Sequence, residues 1–102
     1  MFSLDFVALT EDPLRIKDFF KLADTILTDL CQPIKIGASL LCAVSNDVLL
    51  TIYTDMQSKN LTLKIRVEGE DAVKLVNTIS RIYEKLKENG FHMTLATSSI
   101  TL

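Results

Sequence analysis

Apolar and polar positions alternate from Phe2 to Leu9, with Phe2, Leu4, Phe6 and Ala8 on one face and Ser3 and Asp5 beginning the other, so the sequence opens with a strand. Thr10-Glu11-Asp12-Pro13 changes the period. Asp12 can accept from the free amides of a first helical turn, and Pro13 suits the first helical position. Behind them Ile16, Phe19, Phe20, Ala23, Ile26, Leu27 and Leu30 make one stripe at helical spacing, and Pro33 should close the helix. From Ile34 to Val44 nearly every residue is apolar or small. Ser45-Asn46-Asp47 separates that run from a second one, Val48 to Thr54, which predicts a hairpin with a polar tip.

Asp55 to Asn60 predict a longer polar turn, and Leu61 to Glu68 alternate strictly as a further strand. Gly69, Glu70 and Asp71 lead into a second helix whose apolar stripe is Ala72, Leu75, Val76, Ile79, Ile82, Tyr83 and Leu86. Asn89-Gly90 should end it, with glycine in a left-handed cap and Phe91 folded back onto Leu86. His92 to Thr97 alternate again, and Ile100 and Leu102 leave an apolar tail. The order β-α-β-β-β-α-β predicts a single α+β domain over residues 1–102. It is a two-layer sandwich in which a mostly antiparallel sheet of four or five strands carries two helices on one face, a variant of ferredoxin-like architecture. Composition agrees, since 48% hydrophobic residues and a mean hydropathy of +0.27 lie far from the signature of disorder.

Two amphipathic helices can cover one side of such a sheet. The strand stripes identify it as the side of Leu4, Phe6, Val48, Leu50, Ile52, Leu61, Leu63, Ile65, Val67, Met93 and Leu95. The other side should meet water. On the strand Leu61 to Glu68 it carries Thr62, Lys64, Arg66 and Glu68, but elsewhere it carries Val7, Leu9, Leu41, Ala43, Leu49 and Tyr53, with Ser39 and Thr51 between them. These six apolar residues are the expected interface, with Lys64 and Arg66 as its polar rim and the strand that bears them lying off the patch.

The first helix also reverses the usual dipole pattern, with Arg15 and Lys17 in its opening turns and Asp24 and Asp29 toward its close, a cost that complementary charges on a partner would offset. A net charge of −2 and an isoelectric point near 5.3 provide no pull toward phosphates, so neither nucleic acid nor membrane is an expected partner.

The three glycines stand alone, which excludes a phosphate-cradling loop and a dinucleotide fingerprint. Cys31 and Cys42, eleven residues apart and without a second ligand pair, read as two buried reduced thiols. His92 could in principle serve one of them as a base, and Glu70 and Asp71 are explained by the helix start. No catalytic residue, metal site or cofactor is expected. The opening segment has Asp5 inside its apolar stretch and no preceding base, unlike a secretory signal, and no stretch is apolar enough to span a membrane, so a cytoplasmic protein is expected.

The stretch LTLKIRVEGEDAVKLVNTISRIYEKL resembles the strand-plus-helix of the small dimerising subunit of the tRNA threonylcarbamoyl-adenosine complex, over about a quarter of the chain. That resemblance implies a small subunit of an RNA-modifying or RNA-binding complex. The residues themselves point first to a non-enzymatic interaction or assembly domain, joined to itself or to another protein subunit through the open face or edge of its sheet. A regulatory domain binding a small effector at a dimer interface is the alternative.

Overall fold

The alternating segments become strands and the striped segments become helices. The computed structural model, which describes residues 1–57 and 60–100, runs β1 (Phe2–Leu9), α1 (Leu14–Ile26), β2 (Ile34–Ile36), β3 (Ser39–Ser45), β4 (Val48–Gln57), β5 (Asn60–Gly69), α2 (Ala72–Glu88) and β6 (His92–Ile100). Among the described residues the strands form one six-stranded sheet in the order β2-β3-β4-β5-β1-β6, with every neighbouring pair antiparallel. Both helices lie on one face, giving the α+β two-layer sandwich. The order β4-β5-β1-β6 is compatible with a ferredoxin-like core, to which the β2–β3 hairpin adds an extension at one edge. Expectations for the side chains of Leu61 and Ile100 and for Leu102 fall outside what is described.

The core fills the space between sheet and helices, where Leu40, Cys42, Leu50, Ile52, Leu63, Ile65 and Val67 meet Phe19, Ala23, Leu27, Ile82 and Leu86, all fully buried. Fully burying side chains of the Leu or Ile class contributes roughly 1.5–3 kcal/mol each, so these residues hold the two layers together. The rings of Phe19 and Phe91 meet edge to face at 5.7 Å and join α1 to the start of β6.

Both helix starts form as the sequence requires. Asp12 Oδ1 accepts from Leu14 N at 3.0 Å, and Asp71 Oδ1 accepts from Val73 N and Lys74 N. The end of α2 is also as expected. Gly90 takes φ +85°, Phe91 N donates to the Leu86 carbonyl and Gly90 N to that of Lys87, the paired bonds of a glycine-terminated helix.

Several expectations need correction. The run Ile34 to Val44 is not one strand: Gly37, at φ +59°, lets the chain reverse between β2 and β3, so the sheet gains a sixth strand. α1 ends at Ile26 rather than near Pro33, and a turn beyond it is closed by a Leu30 N to Leu27 O bond. The expected long turn at Asp55 to Asn60 is mostly strand, because β4 runs to Gln57 and pairs it with Asn60. On α2 the buried stripe is Leu75, Thr78, Ile82 and Leu86, whereas Val76 and Ala72 face outward.

The cysteines are not separate thiols. Cys31 and Cys42 form a disulfide with their Cα atoms 5.7 Å apart, inside the usual range for such a bond, and it ties the segment after α1 to the middle of β3. Of the reversed charges in and after α1, Arg15 and Asp29 find their complement within the molecule. Arg15 donates to the Asn89 carbonyl at the end of α2, while Asp29 receives Lys85 Nζ on its carboxylate and Arg81 on its carbonyl. No outside partner is needed to explain them. No helix among the described residues is long and apolar enough to cross a membrane.

Candidate functional site: the open face of the sheet

Side chains on neighbouring strands share a face when their residues are paired, so the registers fix what the uncovered side of the sheet presents. One row across it reads Ile36, Ser39, Tyr53, Lys64, Val7 and Thr94. The next begins Ile34, Leu41, Thr51, Arg66 and Asp5, and a third begins Ala43, Leu49, Glu68 and Ser3. All six residues expected at the interface therefore lie on this face, but they do not form one patch. Leu41, Ala43, Leu49 and Tyr53 sit together on β3 and β4, while Val7 and Leu9 sit on β1, beyond β5.

This overturns the expectation that Lys64 and Arg66 form a rim on a strand off the patch. β5 is an inner strand, so its polar face runs through the middle as a divide. The divide is neutralised locally. Arg66 grips Asp5, its direct cross-strand partner, through Nε at 2.8 Å and Nη2 at 3.2 Å, and Lys64 Nζ lies 3.0 Å from Asp55. The Asp55 carboxylate, as hydrogen-bond acceptor and then as nearby charge, pushes the Lys64 ammonium above the usual lysine range, and Asp5 does the same for Arg66. Exposed, solvent-screened ion pairs of this kind add little to stability. Their main effect is to leave a polar strip without free cations.

The residues missed by sequence reasoning are Ile34 and Ile36. Both stand on the outer side of β2, opposite Leu41 and Ser39, and enlarge the β3–β4 cluster at the sheet edge. They are 61% and 57% exposed, and Leu49 is 40% exposed, whereas Leu41, Tyr53 and Val7 are half-buried. The signal that could have found them was Gly37 followed by Ala38, a possible two-residue reversal inside the apolar run. It would have split the run and turned Ile34 and Ile36 outward.

His92 and the cysteines are not brought together. His92 starts β6, with its ring against Tyr83, and Cys42 is on β3, four strand spacings across the sheet and further displaced along the strands. Compared with protein-family models, curated proteins and solved structures, the chain gives no match.

Proposed function

We propose that this chain is a non-enzymatic assembly module that pairs with a second copy of itself through the β2–β4 portion of its open face. The observation that carries the proposal is the cluster of Ile34, Ile36, Leu41, Leu49 and Tyr53 on one uncovered surface, continuous with the free edge of β2. Ile34, Ile36 and Leu49 together expose about one and a half apolar side chains' worth of surface, or about 2–5 kcal/mol if buried. Association costs roughly 4–15 kcal/mol, so one copy docking on an indifferent surface gains too little. A two-fold contact uses the patch twice and doubles the gain to about 5–9 kcal/mol, which exceeds only the lower part of that cost, so the pairing is a weak, reversible one.

The ion-paired cations of the strip beside the patch also favour this reading, because Lys64 and Arg66 would not oppose one another as free charges when two copies meet. The same pairing weakens the RNA-binding alternative, since the cations nearest Tyr53 are already engaged. A cytoplasmic module would carry Cys31 and Cys42 reduced, whereas the disulfide is the form expected in oxidising surroundings; the dimer proposal holds in either.

Light scattering after gel filtration tests the proposal. The wild-type protein should approach the dimer mass at high micromolar concentration, and Ile36→Lys should stay at the monomer mass with an unchanged circular dichroism spectrum. Leu49→Lys should act alike. A wild-type protein that remains monomeric throughout that range would refute self-assembly, and a dimer indifferent to both substitutions would refute the face.

A further inference from the structure

The alternation that turns Ile34 and Ile36 outward turns Lys35 inward. Lys35 pairs with Leu40, a core residue, so its side chain stands on the helix-bearing side of the sheet, yet it remains exposed because the helices do not reach the β2 edge. There α1 and the β2–β3 turn flank an open groove of about 480 Å3. Half-buried Phe20 and exposed Ala38 give it an apolar wall, backed by the buried Ile16 and Leu40, and Lys17, Lys21 and Lys35 stand around it. Along α1 the pairs Ile16/Phe20 and Lys17/Lys21 are each four residues apart, so an apolar column and a cationic column run side by side into the groove. Gly37 lines the mouth, and even a methyl group there would meet nothing within 4 Å, so the turn leaves it unobstructed.

The charges are the unusual part. Lys64, Lys74 and Lys85 are each ion-paired, whereas among the described residues Lys17, Lys21 and Lys35 make no ion pair. Asp18 and Asp24 stand three residues either side of Lys21 along α1, but among the described residues neither forms an ion pair with it. An inward lysine on an edge strand can serve alone as a guard against strand addition, which would account for Lys35. It does not account for two more lysines converging from a helix on the same apolar surface.

We propose that the groove binds a small anion with an apolar body, of the medium-chain carboxylate class: the chain lies against Phe20 and Ala38, and the carboxylate meets the lysine ammonium groups. The groove lies within the usual volume range of small-ligand sites, about 300–1,000 Å3. It occupies the opposite layer from the open face, so this site stands apart from the dimer proposal.

Calorimetric titration with decanoate, decanol and acetate, each below any micelle-forming concentration, provides the test. Decanoate should bind saturably at one site per chain. Decanol, with the same tail and no charge, should bind about tenfold more weakly, as two or three exposed charge contacts would give. Acetate should show no binding where decanoate saturates. The triple substitution Lys17→Gln, Lys21→Gln, Lys35→Gln removes only exposed charges and should bring decanoate down to the affinity of decanol. Equal binding of decanoate and decanol, undiminished decanoate binding by the triple variant, equal binding of acetate, or no binding of decanoate at all would each overturn the proposal.

Discussion

Breaking the Cys31–Cys42 bond perturbs the β2–β3 extension without touching either exposed surface. The bond closes a loop with a sequence separation of 11 residues. On the chain-entropy account a cross-link over a loop of that size disfavours the unfolded state by about 3 kcal/mol. Strain from the break should be small, since Cys42 is fully buried among apolar neighbours and a reduced thiol is comfortable there. Reduction should therefore lower the free energy of unfolding in a urea titration by about 3 kcal/mol, equivalent to roughly 10–25 °C in Tm for a domain of this size. The oxidised and reduced proteins should keep the same circular dichroism spectrum in native buffer. Hydrogen exchange should quicken most in β2, β3 and the segment after α1, because the bond is their covalent tie to one another. Identical midpoints for the two forms, with mass spectrometry confirming one intact and one opened bond, would refute the assigned stabilisation. Rapid alkylation of both cysteines in the untreated native protein would refute the bond itself.

Two further outcomes follow from single contacts. A Cβ on Gly69 would lie 2.7 Å from the Asp47 backbone carbonyl and within 3.5 Å of Leu75 and Val48, so Gly69→Ala should destabilise by about 1–3 kcal/mol in chemical denaturation, and a neutral effect would contradict the close approach of the β3–β4 tip to β5. The Lys64 ammonium is held above its ordinary range in the folded state, so the Lys64–Asp55 contribution is fully present below the unfolded lysine value of about 10.4 and fades as pH rises through the higher folded value. The stability difference between wild type and Lys64→Met should therefore be level from pH 7 to 9 and shrink above pH 10.5, and a difference that grows with alkalinity would reverse the assigned sign.

How much of this was readable beforehand depended on whether the cue was local. Asp12 and Asp71 announce helices because a carboxylate beside free amides is a contact within three residues. Gly90 likewise ends α2 through bonds to Leu86 and Lys87. The two faces of β1, β4 and β5 were readable because alternation is a local period. What failed was non-local. The place of β5 between β4 and β1 is set by which strands pair, and no residue of β5 encodes that by itself, so alternation alone makes Lys64 and Arg66 a rim where the sheet order makes them the divide. The disulfide escaped for the same reason, since only the return of β3 beneath the end of α1 brings Cys42 to Cys31. Val76 falls outside the buried stripe because two stripes can be drawn through α2, and the register of packing against the sheet, which selects Leu75, Ile82 and Leu86, decides between them.

Both proposed surfaces meet in the β2–β3 hairpin, and the period of two separates them residue by residue. Ile34, Ile36 and Leu41 face the open side, while Lys35 and Leu40 face the groove. A strand of only three residues can serve two layers in this way because it is an edge, covered by a helix on neither side, so each side chain keeps the environment its parity assigns. Ile36 and Lys35 are adjacent in sequence yet project to opposite sides of the sheet. Substituting Ile36 should thus change the mass of the particle and leave decanoate binding intact, and substituting the groove lysines should do the converse. Loss of both properties from either change alone would mean that the hairpin had come away from β4, and that the disulfide and the core residue Leu40 do not hold it as firmly as their burial requires.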